Sequence, residues 1–207
     1  MITIINYGLG NIQAFTNIFD QLRISYKITS SPKDIIGAER IILPGVGAFD
    51  YAISCLEKLE LFEVINEVVT KKGTPILGVC VGMQVMANYS DEGSKKGFGW
   101  FDCDVKKLPD ALDTNKKLLL PHMGWNSILK KKDNQILSDI HSNEFYFLHS
   151  YYVDLSEKDQ IISETFYGIE FPSIINQDNI FGIQFHPEKS HSSGIKILKN
   201  FSEAPVA

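Results

Sequence analysis

Thr74-Pro75-Ile76-Leu77-Gly78-Val79-Cys80-Val81-Gly82 reads as a short apolar strand that runs straight into a tight turn. The run from Ile76 to Val79 shows no polar alternation, the pattern of a strand covered on both faces within a parallel sheet. Helical spacing follows through Met83, Val85 and Met86, so Cys80 sits at the junction of strand and helix. Glycines two positions either side let the backbone close sharply, as in a nucleophile elbow. Such a turn presents its side chain at the carboxyl edge of the sheet and at the positive end of a helix, where thiolate is favoured over thiol. A plain turn with a buried thiol is the alternative, and the motif alone leaves both open.

Toward the N-terminus the same rhythm repeats. Ile2-Thr3-Ile4-Ile5 is a β-branched run, Tyr7-Gly8-Leu9-Gly10-Asn11 a glycine turn, and Ile12, Phe15, Ile18, Phe19 and Leu22 carry helical spacing. Tyr26 to Thr29 and the segment after Pro32 form a second βα unit. Arg40 to Leu43 is a further apolar strand, halted at Pro44-Gly45-Val46-Gly47, and one long helix is predicted from Ala48 to Thr70. Beyond Gly97 the pattern shifts to short strands with turns between them, predicted over Trp100 to Leu108, Leu118 to Pro121, Phe145 to Val153, Ile161 to Tyr167, Pro172 to Asn176 and Ile180 to Phe185. A last helix is predicted over Ser193 to Phe201. Alternating strands and helices followed by strand-rich sequence imply an α/β three-layer sandwich with a central, mostly parallel sheet and an added antiparallel portion. One domain spanning residues 1–207 is expected.

Composition narrows the function classes. With 44% hydrophobic and 22% charged residues the 207-residue chain has the balance of a soluble globular protein. A net charge of -5, with lysines grouped only at Lys116-Lys117 and Lys130-Lys131-Lys132, argues against a nucleic-acid footprint and for solvated loops. No apolar run reaches the roughly 18 residues of a membrane span, and Met1-Ile2-Thr3-Ile4 lacks a secretory start, so a cytoplasmic location is expected. Cys55, Cys80 and Cys103 are too few and too scattered for a disulfide framework or a thiolate metal site, and reduced thiols are expected.

A cysteine nucleophile needs a base, and the base needs a third group to hold it. Gln184-Phe185-His186-Pro187-Glu188 supplies both at the end of the last apolar strand, where residues two apart face the same way. Among the other histidines, His141 and His191 stand in polar, loop-like sequence, whereas His122 and His149 lie beside aromatic-rich strand ends and read as structural. Pro44-Gly45-Val46-Gly47 ends a neighbouring strand and frees backbone N-H groups near the same sheet edge; with the amide of Val81 they could form an oxyanion hole. Taken alone, it is only a turn.

In combination these segments resemble the class I glutamine amidotransferases. Gly78-Val79-Cys80-Val81-Gly82-Met83-Gln84 is similar to that family's nucleophile segment and Phe185-His186-Pro187-Glu188 to its His-x-Glu segment. Within it, Pro44 to Phe49, Pro121 to Asn126, Tyr146 to Tyr152, Tyr7 to Asn11 and His186 to Ser190 resemble the glutaminase subunits of imidazole glycerol phosphate synthases. The resemblance covers the chain from end to end. It implies that Cys80 forms a γ-glutamyl thioester, His186 shuttles protons and Glu188 orients it. Amides at Gly45, Val46, Gly47 and Val81 would face the oxyanion. Gln84 and Glu92 would hold the glutamine head, Glu92 taking the α-ammonium, while the backbone of His149, Ser150 and Tyr151 would receive the carboxylate. No metal or organic cofactor is required by that chemistry. A (β/α)8-barrel synthase subunit is implied as partner, with Asn11, Met123, Trp125 and Asn126 on the covered face; core packing is the alternative for Met123 and Trp125.

Three other readings remain at this stage. A paralogous glutaminase could feed ammonia to the amidination of a bacterial surface sugar, and Val81, Trp100 after Gly97-Phe98-Gly99, and Phe147 to Tyr152 are compatible with it. A catalytically silent module could keep the same shell and only regulate a barrel. A cysteine peptidase or esterase could share the elbow.

Overall fold

The structure is a computed structural model that describes residues 1–110 and 118–204. The Lys116-Lys117 pair lies outside the described residues.

Five parallel strands form the heart of the molecule: β1 (Ile2–Ile5), β2 (Tyr26–Thr29), β3 (Arg40–Leu43), β4 (Ile76–Val79) and β12 (Ile180–Ile183). Three further strands extend the sheet by antiparallel pairing: β11 (Ile169–Gln177), β10 (Ile161–Tyr167) and the two-residue β7 (Leu129–Lys130). The order across the eight is β2-β1-β3-β4-β12-β11-β10-β7. Every residue of β1, β3, β4 and β12 is buried, as uninterrupted apolar runs require. Strand β2 is the parallel edge and alone of these five exposes its middle residues.

Helices cover both faces. Contacts group α1 (Ile12–Leu22) and α6 (His191–Glu203) with the 3-10 turn Pro187–Lys189, and separately α2 (Pro32–Ile36) and α3 (Phe49–Lys58) with α4 (Leu61–Thr70). This is the expected α/β sandwich: a large, mostly parallel sheet with an antiparallel extension. Two ribbons stand outside it, β5 (Cys103–Lys107) with β9 (Tyr151–Leu155), and β6 (His122–Ser127) with β8 (Glu144–His149). Ser150 is the single residue between β8 and β9, so the chain changes ribbons there.

Three local expectations fail. The predicted long helix is two, because Glu60 adopts a left-handed conformation (φ 58°, ψ 26°) that turns α4 away from α3. Leu118 to Pro121 is no strand: the Leu118 amide returns to the Asp110 carbonyl, and pairing begins only at His122. The strand predicted from Trp100 starts at Cys103, since the Trp100 and Phe101 amides both bond the Met86 carbonyl and tuck these aromatics under the elbow helix.

Candidate active site

Cys80 follows β4 directly, and its amide bonds the Ile183 carbonyl at 2.8 Å, continuing the β4–β12 pairing by one residue. Its backbone then turns at φ 55°, ψ -111°, a region that L side chains rarely adopt, into α5 (Val81–Gln84). The flanking glycines are dictated by approach distance. A Cβ on Gly82 would stand 1.9 Å from the Leu43 carbonyl oxygen, and one on Gly78 would stand 2.4 Å from the Gly82 oxygen. The turn after β3 packs against the same backbone, since a Cβ on Gly45 would fall 2.7 Å from the Gly82 nitrogen. Helix α5 is a single turn. Too few aligned peptides stand behind Cys80 for a strong macrodipole, so the expected help from a helix N-terminus is slight.

Those side chains arrive from beyond β12. Strand β12 stops at Ile183; His186 caps the 3-10 turn that holds Glu188, so their meeting is a product of this turn and not of strand alternation. His186 Nδ1 lies 2.8 Å from Glu188 Oε1, and both side chains are 1% exposed. The segment is stitched to β8, with the His186 amide on the Tyr146 carbonyl (2.8 Å), Ser190 Oγ donating to the His186 carbonyl (2.6 Å), and the Tyr146 amide donating to Ser190 Oγ (2.9 Å). Nε2 of His186 and Oε2 of Glu188 are buried without a hydrogen-bond partner among the described residues. Burial alone would lower the imidazole pKa. The neighbouring Cys80 sulfur and the Glu188 carboxylate on Nδ1 outweigh burial and raise it to about 10.

The elbow opens on a cleft of about 230 Å³ lined by Val46, Gly47, Cys80, Val81, Gln84, Glu92, Pro121, Leu148, His149, Ser150 and Tyr151. That is somewhat below the roughly 300–1,000 Å³ of drug-sized sites and suits a small metabolite. A larger cleft, about 420 Å³ between Glu57, Glu60, Phe62, Glu63, Lys96 and Gly97, holds no nucleophile and none of these groups. Among the described residues no cluster of three or more His, Cys, Asp or Glu side chains has the geometry of a metal site.

The model of the class-I glutamine amidotransferases matches residues 3–204. The chain belongs to this family. Its relatives include proteins named imidazole glycerol phosphate synthase subunit HisH: 46% identical over 205 residues in Caldanaerobacter subterraneus subsp. tengcongensis, covering 98% of each chain, and 42% identical over 204 residues in Leptospira borgpetersenii, covering 98% of this chain and 99% of the relative. Solved structures agree on the fold. A glutamine amidotransferase crystal structure superposes with a TM-score of 0.74 at 14% identity over 98% of each chain. The glutaminase domain of Trypanosoma brucei CTPS gives 0.65 at 16% identity, over 100% of this chain and 95% of that one.

The amidotransferase site draws the remaining sequence-derived candidates together unequally. Glu92 reaches the cleft, with Oε2 accepting the amide of Phe49 at 2.8 Å, so it caps α3 while facing Cys80's pocket. Gln84 lines the cleft, but its Nε2 is already given to the Tyr151 carbonyl (2.9 Å) and to Gln184 Oε1 (3.1 Å). Val46, Gly47 and Val81 line the cleft, whereas Gly45 lies behind them against Gly82. Asn11 caps α1, its Oδ1 accepting the Ala14 amide at 3.2 Å. Met123 and Trp125 are 64% and 47% exposed, so they are not core. His191, expected in solvated loop, stands at the start of α6 and stacks on Trp125 at 5.0 Å.

Sequence reading gave no role to Gln184. Its side chain is fully buried, and Nε2 donates toward Cys80 Sγ at 3.7 Å. The signal was present: a polar residue at the end of an apolar strand, two positions before the histidine.

Proposed function

We propose that this chain is the glutaminase subunit of an imidazole glycerol phosphate synthase, which hydrolyses glutamine and delivers ammonia to a (β/α)8-barrel synthase subunit in histidine biosynthesis. One observation carries the chemistry. The imidazole held by Glu188 keeps a free, buried Nε2, and Cys80 opens on a cleft of metabolite size. The names of the full-length relatives support the pathway.

In this reading the Cys80 thiolate attacks the side-chain carboxamide carbon, and the oxyanion is met by amides from Val46, Gly47 and Val81. His186 gives its Nε2 proton to the nitrogen as the C-N bond breaks, leaving ammonia and a γ-glutamyl thioester. Water, deprotonated by His186, cleaves the thioester and returns glutamate and the thiolate. Glu188 keeps Nδ1 occupied throughout, so the reactive proton always resides at Nε2. Glu92 takes the α-ammonium, Gln84 borders the chain of the substrate, and the backbone at His149, Ser150 and Tyr151 takes the carboxylate.

Ammonia released into neutral water is protonated and ceases to be a nucleophile, so delivery requires a covered path. Exposed Met123 and Trp125, with Asn11 and Asn126, form the proposed docking face. A heterodimer working in the cytoplasm follows from this role. The test is ammonia transfer: glutamine hydrolysis by the chain alone, then with the barrel protein plus its ligand. Strong stimulation and incorporation of amide nitrogen into the barrel's product are expected. Equal turnover with and without the barrel rejects the partnership, and failure of a glutamine-mimicking diazo-ketone to label Cys80 rejects the glutaminase itself.

A further inference from the structure

The proposed mechanism does not use His122 or His149, yet both are buried and bonded to each other, His122 Nδ1 to His149 Nε2, at 2.9 Å. His149 Nδ1 lies 2.8 Å from the Tyr151 carbonyl. A carbonyl only accepts, so His149 carries its proton on Nδ1, and its Nε2 is an acceptor. His122 must then donate from Nδ1, which leaves its own Nε2 to accept from Asn126 Nδ2 at 3.1 Å. Asn126 is oriented independently: Oδ1 takes the Ser127 amide (2.8 Å) and Nδ2 also donates to the Phe166 carbonyl (3.0 Å). Every proton in the chain from Asn126 through His122 and His149 to Tyr151 is therefore fixed in one direction. Burial holds both rings neutral, His122 at about 4 and His149 at about 3, the latter helped by its imidazole neighbour His122, so the relay keeps this polarity at neutral pH.

The end of the relay is the point where the chain crosses between ribbons beside Cys80. There the Tyr151 carbonyl receives two donors, His149 Nδ1 and Gln84 Nε2, and the Ser150 carbonyl receives the Leu108 amide at 2.9 Å. Both carbonyls are thereby tied to protein donors. A carbonyl left free to turn into the cleft would repel an incoming carboxylate; holding these two back leaves the amide side of the Ser150–Tyr151 peptide for the anion. His122 is clamped between the Phe147 ring (4.8 Å) and the Tyr167 ring (4.0 Å), so it has one rotamer in which to donate.

We propose that His122 and His149 are positioning residues whose relay, anchored at Asn126, holds the Ser150–Tyr151 backbone in the orientation that receives the α-carboxylate of glutamine. The inference rests on the glutaminase reading above and deepens it. It makes substrate affinity, and not the nucleophile, sensitive to Asn126, on the strand that also carries Met123 and Trp125.

The test compares two reagents for Cys80 on the intact chain: a diazo-ketone analogue of glutamine, which carries the α-carboxylate, and iodoacetamide, which does not. His122→Phe keeps the ring stack and removes the donor. It should slow labelling by the subsaturating analogue and raise the glutamine KM by about five- to tenfold, the scale of one lost hydrogen bond, with kcat and iodoacetamide alkylation within about twofold of wild type. His122→Asn places an amide N-H where Nδ1-H stood and should restore most of the loss. Equal slowing with both reagents, or no change with either, overturns the proposal. If His122→Phe does not fold, long-range 1H-15N correlation on the wild-type chain decides: both rings as Nδ1-H tautomers at neutral pH support it, and any other tautomer or an imidazolium overturns it. Absence of analogue labelling on wild-type Cys80, while iodoacetamide still alkylates it, removes the glutaminase reading and this inference together.

Discussion

At Cys80 the backbone stores energy that the reaction uses only indirectly. Its φ of 55° and ψ of -111° point the sulfur out of the sheet edge, a conformation that costs of order 1–3 kcal/mol for a residue with a Cβ. Replacing Cys80 by Ala keeps that strain, whereas Cys80→Gly releases it. Both variants should be inactive, with the glycine variant more stable than the alanine variant by about 1 kcal/mol after the extra chain entropy of glycine is subtracted; urea denaturation of the pair measures it. A second expectation concerns His186, whose folded pKa of about 10 stands above the ordinary imidazole value of 6.5. Stability contributed by its charged form is fully present below pH 6.5 and is lost as pH rises through about 10. In the proposed mechanism the proton given to departing ammonia is lost as pH rises through about 10, so kcat should fall with an apparent pKa near 10. In Glu188→Gln one of the two groups that raise the imidazole is gone, and this alkaline limb should move to lower pH; a pH-rate profile of both proteins checks it. The elbow cysteine and the histidine held by Glu188 were both legible as candidates, because glycine spacing and strand-end polarity are local signals. Gln184 carried the same strand-end signal, but its contact with Cys80 and the tautomer chain through His122 were not legible, since a buried polar side chain declares its partner only once the strands are assembled.

Elements show where local signals mislead. Leu118-Leu119-Leu120 looked like a strand and is none, while His122–Ser127, broken by Gly124 and carrying three polar side chains, pairs fully with β8. The deciding force there is the partner ribbon, which no short window of sequence contains. The split between α3 and α4 was hidden for a different reason: helical spacing continues across it, and neither Gly nor Pro marks the break. Glu60 takes the left-handed position that glycine fills at many helix ends, at a cost of roughly 1–2 kcal/mol. Glu60→Gly should recover part of this, up to about 1 kcal/mol net of unfolded-chain entropy, read as a raised denaturation midpoint with unchanged glutaminase rate. The elbow gives the opposite outcome. Gly82→Ala drives a methyl to 1.9 Å from the Leu43 carbonyl where the elbow helix crosses the end of β3, and the variant should lose more than about 3 kcal/mol or fail to fold, as monitored by soluble yield and circular dichroism.

Across the whole molecule, the parallel sheet brings the β3 turn, the β4 elbow and the segment after β12 to one edge because β3, β4 and β12 are neighbours in the order. The ribbons β5–β9 and β6–β8 then supply the far wall of the cleft and, on β6, the side chains that face outward. Met123 and Trp125 project from the strand that also carries His122 and Asn126, so the proposed docking face and the relay share one element. Trp125 stacks on His191 and meets the Tyr146 ring edge-on at 6.1 Å, and Tyr146 in turn lies under Lys189 Nζ at 5.5 Å, which pre-orders a half-exposed aromatic patch next to the His186 turn. An anchor already fixed before binding loses little side-chain freedom on docking, the condition under which an aromatic residue dominates an interface. Trp125→Ala should therefore weaken association with the barrel protein by about 2 kcal/mol, roughly thirtyfold in Kd by calorimetry. A Kd within about twofold of wild type would show that the barrel docks elsewhere and that the path for ammonia leaves the cleft by another face.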